Sequence, residues 1–155
     1  AFTPTVANIR PTSRGEINII SKDSRKKPKI KMNYLSSTDD RKVAAAGLRL
    51  IRKIVLESNE FKQYEPEEFR PGINIKNDEE LVKAGSKYAQ TIFHPVGTCK
   101  MGKDENSVVS DELKVHGIEN LRIIDASVMP NITSGNTNAP TIMIAEKGAD
   151  MILNN

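Results

Sequence analysis

The chain has 155 residues, enough for one domain with a sizeable core, and its 37% hydrophobic and 28% charged content is that of a globular fold. A net charge of +3 and the absence of Trp give no support to nucleic-acid binding. No apolar run approaches the ~18 residues of a membrane span, and Ala1 to Arg10 lacks the basic start and apolar centre of a secretory signal. The single cysteine, Cys99, cannot form an internal disulfide, which points to a reducing compartment.

In chain order, Arg14 to Ser21 alternates polar and apolar residues with the period of a strand, and Lys29 to Asn33 repeats that alternation. The polar link between them predicts a hairpin. Its basic stretch, Lys22 to Lys31, could be an anion-binding or membrane-surface patch. Without interleaved aromatics it reads better as a solvated connection.

Ser36 to Ser58 predicts the best helix, capped by Ser37 or Thr38, with Asp39 and Asp40 facing the helix dipole. Val43, Ala44, Leu48, Ile51, Ile54 and Val55 form its apolar stripe, expected in the core, and Gly47 weakens it modestly. Gln63 to Lys76 is loop-like. Asn77 caps a second helix reaching Thr91. Val108 to Val115 and Leu121 to Ile124 are short strand candidates. Pro140 opens a last helix ending near Leu153. This order predicts an α+β fold. No Gly-x-Gly-x-x-Gly loop occurs, so a dinucleotide-binding half is absent from this chain.

Two charge-poor loops stand out. Phe93 to Gly102 reads FHPVGTCKMG. His94 has the side chain best suited to proton transfer near neutral pH, Pro95 biases it towards extended backbone, and Gly97 permits close approach of a backbone or ligand. On chemistry alone a structural histidine is the stronger reading. Cys99 is either a nucleophile near His94 or, more simply, a small buried thiol. Asn131 to Thr141 reads NITSGNTNAPT, either a loop that satisfies its own backbone or a polar rim that orients a ligand. The apolar start of the following helix predicts that its first turns are buried, where an anion would be stabilised. His116 reads as a turn residue. No cluster has metal-ligand spacing.

The segments HPVGTCKMG, NLRIIDASVMP and SGNTNAPTIMIAEKGADMI, in that order, closely resemble the carboxy-terminal signature of the glucose–methanol–choline (GMC) oxidoreductases. RPTSRGEINIIS and NYLSSTDD also look like that family, and the wording is similar to its choline dehydrogenases and bacterial alcohol dehydrogenases. The resemblance implies an antiparallel sheet with helices packed on one side, a substrate-domain part over residues 1–120, and a segment 121–155. That last strand and helix would complete an FAD-binding domain whose amino-terminal half lies elsewhere.

By resemblance, His94 is the base and Asn136 its partner in oxidation of a primary alcohol, with hydride passing to flavin N5. Asp125 and Ala126 match the position near the ribityl and pyrophosphate of FAD. Asn138, Ala139, Pro140 and Thr141 match the stretch under the flavin pyrimidine. The expected partners are a small alcohol and the amino-terminal FAD-binding half. The chain alone is expected to be inactive and to hold FAD weakly. The expected location is the cytoplasm, with a peripheral place at the inner membrane left open. A cyanohydrin lyase on the same fold and a non-catalytic binding module are the competing readings.

Overall fold

The computed structural model describes residues 1–154. Two short strands, β1 (Glu16–Asn18) and β2 (Lys29–Lys31), pair antiparallel with Ile17 opposite Ile30. Four helices follow: α1 (Thr38–Arg52), α2 (Asn59–Lys62), α3 (Asp78–Gly85) and α4 (Asn138–Leu153). The composition is α+β, as expected. The backbone divides into two compact units, one of residues 1–15 and 32–92, the other of residues 16–31 and 93–155. The expected boundary at residue 120 thus falls inside the second unit. None of the helices described is long and apolar enough to cross a membrane.

In the first unit, α1 starts where the Ser37 hydroxyl accepts the Asp40 N–H at 3.1 Å, so Ser37 rather than Thr38 is the cap. The predicted helix runs on past Arg52 only as a π-helical turn, Lys53–Glu57. The expected apolar stripe is only partly covered. Val43 and Ile54 are exposed, while Ala45 and Gly47 are buried. The covered face is shifted because the amino-terminal segment crosses at Gly47, where a Cβ would stand 2.9 Å from Val6. Gly47 therefore trades helix propensity for a close crossing.

Helix α3 packs on α1, buries Leu81 and Val82, and places Gly85 against Leu48. Asn77 caps it through the Glu79 and Glu80 N–H groups. It ends six residues before the expected Thr91 (91 − 85), where Gly85 and Ser86 weaken the helix and a tight turn follows.

The second unit has a core of Val109, Leu113, Val128, Met129 and Ile144. The expected strands at Val108 to Val115 and Leu121 to Ile124 form only isolated bridges, Val109 with Met101 and with Val115, and Lys114 with Arg122. Left-handed residues at Leu113, Gly117 and Asn120 turn the backbone before a ladder can extend. Helix α4 begins two residues earlier than expected, placing Pro140 third in its first turn, where its missing N–H costs nothing. The start of α4 is not buried as predicted. Ile142 and Met143 are exposed, and only Ile144 and Gly148 are covered. In the hairpin, every residue of β1 and β2 is exposed, so the helix-covered face implied for the sheet is not seen.

Candidate active site

His94 follows Phe93, whose backbone is left-handed (φ 64°). That conformation is uncommon for a bulky residue and turns the chain sharply just before the imidazole. The loop after it is pinned by two hydrogen bonds to the segment that carries Asp125 and Ala126, and approaches it closely at a third point. The Cys99 N–H donates to Ser127 O at 3.0 Å, and the Met101 N–H donates to Val128 O at 2.8 Å. At Gly97 (φ 87°) a Cβ would lie 3.3 Å from Met129 O. The close approach that Gly97 permits is thus to another backbone. Cys99 itself is half-buried and unpaired with another cysteine.

Asp125 is exposed, and its carboxylate accepts the Ser127 N–H at 2.7 Å. It caps a 3₁₀ turn, Ala126–Val128, whose last residue is fully buried in the core. A short capped turn with one buried anchor explains how an otherwise polar stretch holds its course.

The head of α4 faces His94. Thr137, 7% exposed, places its Oγ1 2.9 Å from His94 Nδ1, across 43 residues of sequence. Its backbone N–H lies 3.5 Å from the same nitrogen. Thr137 is the residue before the helix, yet its side chain makes no cap bond, because the hydroxyl is directed to the histidine. Its carbonyl accepts both the Thr141 N–H (3.0 Å) and the Thr141 hydroxyl (2.6 Å). The Thr141 hydroxyl is therefore engaged within the helix.

Asn136, Asn138 and Ala139 are exposed and Pro140 half-buried. Asn136 directly precedes Thr137, so the structure brings both members of the expected pair to one end of α4. The direct hydrogen-bond partner of His94 is Thr137, which the sequence reading passed over between two asparagines. Only a tertiary contact selects it; the triplet NTN carries no local signal for it.

No acidic residue occupies the first turn of α4. Its leading amides keep their partial positive charge uncompensated by a side chain. The arrangement offers a proton-transfer group, exposed amide side chains and an anion-friendly helix end within one unit. His116 lies apart from it. Its Nε2–H donates to Gly102 O at 3.0 Å and braces a turn, as expected. Among the described residues no group of three or more His, Cys, Asp and Glu could hold a metal ion.

An oxygen-dependent choline dehydrogenase of Proteus mirabilis is 48% identical over 97% of this chain and 27% of its own length. That of Pseudomonas syringae pv. tomato is 46% identical over 97% of this chain and 26% of its own. This chain thus spans about a quarter of the curated relatives it matches. Among solved structures, pyridoxine 4-oxidase from Mesorbium loti superposes with a TM-score of 0.85 at 32% identity, over 95% of this chain and 28% of that one. A formate oxidase of Aspergillus oryzae, studied for modification of its FAD, superposes with a TM-score of 0.83 at 33% identity, over 93% of this chain and 25% of that one. The GMC oxidoreductase family profile matches residues 11–145, which include the whole His94 loop and the head of α4, and by that match the chain belongs to the GMC oxidoreductases.

Proposed function

We propose that this chain is the carboxy-terminal, substrate-side part of an FAD-dependent oxidoreductase that converts a primary alcohol, choline-like or simple, to the aldehyde. The observation that carries the reading is the meeting of His94 with the head of α4, which joins two motif segments 43 residues apart at 2.9 Å. A histidine held on one nitrogen by a buried hydroxyl is left with its other nitrogen for a substrate proton.

In this reading His94 takes the hydroxyl proton. Asn136, exposed and one residue before Thr137, offers an amide to the alcohol oxygen and holds it in line; positioning of this kind lowers a barrier by several kcal/mol. FAD, when bound, supplies the hydride acceptor. The residues present fit it. Asn138 and Ala139 expose the uncapped, acid-free start of α4, which favours an electron-rich ring edge. Asp125 uses one carboxylate oxygen to accept the Ser127 N–H, and its carboxylate and the backbone at Ala126 are the ribityl and pyrophosphate ligands in this reading. Pro140 and Thr141 shape the turn, with Thr141 bonded inward.

The phosphate-cradling half of the FAD site is assigned to the polypeptide amino-terminal to this chain. The share of the relatives' length that this chain covers supports that assignment, as do exposed Ile142 and Met143 on α4.

Anaerobic addition of choline and simple primary alcohols to the complete polypeptide tests the proposal. Bleaching of the flavin spectrum by one of them is expected. Failure of every alcohol to bleach it contradicts the oxidoreductase reading, and cleavage of mandelonitrile without bleaching replaces it with a lyase.

A further inference from the structure

We propose that Thr137 is a positioning residue that sets the tautomer of His94, an inference that rests on His94 acting as the base. Neutral imidazole carries one proton on its two nitrogens. Only the form protonated at Nδ1 has a lone pair at Nε2, and that form needs an acceptor at Nδ1. Thr137 Oγ1 meets this need at 2.9 Å. The threonine is 7% exposed, so solvent is a poor substitute for it.

The placement of the hydroxyl is fixed from two sides. The Thr137 carbonyl is anchored by both donors of Thr141, at 3.0 and 2.6 Å, and its β-branched side chain has few rotamers. The Thr137 N–H also points at Nδ1 and, as a donor, favours the opposite tautomer. At 3.5 Å it is a long, weak bond; the hydroxyl, nearer at 2.9 Å and able to accept as well as donate, is the stronger partner, and in this proposal it acts as the acceptor that selects the Nδ1–H form. When His94 gains a second proton, the same oxygen still accepts from Nδ1–H. One uncharged group thus serves both protonation states of a base during turnover.

Thr137→Val keeps the shape of the side chain, removes the acceptor and leaves the opposing N–H in place. In the complete polypeptide we expect kcat to fall roughly ten-fold or more with KM little changed, as for other histidines deprived of the group that fixes their tautomer. Thr137→Ser should restore most of the activity. ¹⁵N-histidine NMR, with the His94 signals identified by their loss in His94→Asn, should show Nδ1 protonated in the wild type and in Thr137→Ser. Thr137→Val should shift the proton to Nε2.

If Thr137→Val folds poorly, Thr137→Ala carries the same test. An unchanged tautomer together with unchanged kcat in the folded variant overturns the role of Thr137. His94→Ala separates the two levels. If its turnover collapses while Thr137→Val is silent, only the positioning role falls. If His94→Ala is itself fully active, the base reading falls and this inference with it.

Discussion

Asp40 shows how much one side chain can do beyond its local signal. The sequence marks it as an acid in the first turn of α1, facing the dipole. In the fold it is 5% exposed. Its carboxylate accepts the N–H and hydroxyl of Thr12 at 2.8 and 3.1 Å, the Ser13 N–H at 2.8 Å and the Asn8 side-chain amide at 3.2 Å. It therefore ties the amino-terminal segment to the helix. Burial pushes its pKa up, but the hydrogen bonds from Ser13 and Thr12 outweigh burial and hold it at about 2, below the ordinary 3.8.

The folded pKa of Asp40 lies below the unfolded one, so its contribution is complete above about pH 4 and is lost as pH falls towards 2. The shift corresponds to about 2 kcal/mol. Asp40→Asn should lower stability near neutral pH by about that amount and flatten the acid limb of the unfolding curve below pH 4. Denaturant titrations at several pH values check this. His94 was legible as a candidate because its motif is long. Asp40 and Thr137 were less so, because their partners lie 27 or more residues away in sequence.

Elements were legible where local chemistry decides them. The caps Ser37 and Asn77 stand where predicted. The loop after α2 shows what the sequence could not supply. Arg52 reaches into it with a forked guanidinium. It bonds Glu68 at 2.7 and 2.9 Å and the carbonyls of Ile75 and Gly72 at 2.8 and 2.9 Å. Burial raises the Glu68 pKa, and the Arg52 pair and the Gly72 N–H outweigh it to hold the group below its usual range. Arg52→Met should destabilise the first unit by about 3 kcal/mol, because a buried carboxylate is left unpaired. Arg52→Lys should recover little, lacking the fork. Thermal unfolding of the three proteins decides it.

In α4, Gly148 lies where a Cβ would come within 2.6 Å of Ile124. Gly148→Ala should cost about 1–3 kcal/mol by overpacking, despite the better helix propensity of alanine. A stabilised Gly148→Ala protein would show that Ile124 yields freely. Strand lengths were overestimated because the apolar residues of Val108 to Val115 record burial of Val109 and Leu113, while the backbone turns between them.

At the scale of the whole molecule, exposed apolar groups are the main departure from expectation. Ile17, Ile30, Val43, Ile54, Ile142 and Met143 are each more than two-fifths exposed. A helix apolar on more than one face calls for cover on more than one face. Periodicity reports that a residue wants burial, and the cover itself is assigned here to polypeptide outside this chain, which spans about a quarter of the relatives it matches. The chain by itself should consequently hold FAD weakly, having no Gly-rich phosphate loop. Absorbance of the purified chain after incubation with FAD and gel filtration should show no retained flavin, and stoichiometric yellow protein would refute that.

The central claim, that His94 is the base of an alcohol-oxidising flavoenzyme, is tested most directly by the rate of anaerobic flavin reduction. The comparison is between the complete polypeptide and its His94→Ala variant with the same bleaching alcohol. The account predicts equal flavin content and reduction slowed by ~10²-fold or more. Reduction of the variant at the wild-type rate would contradict it.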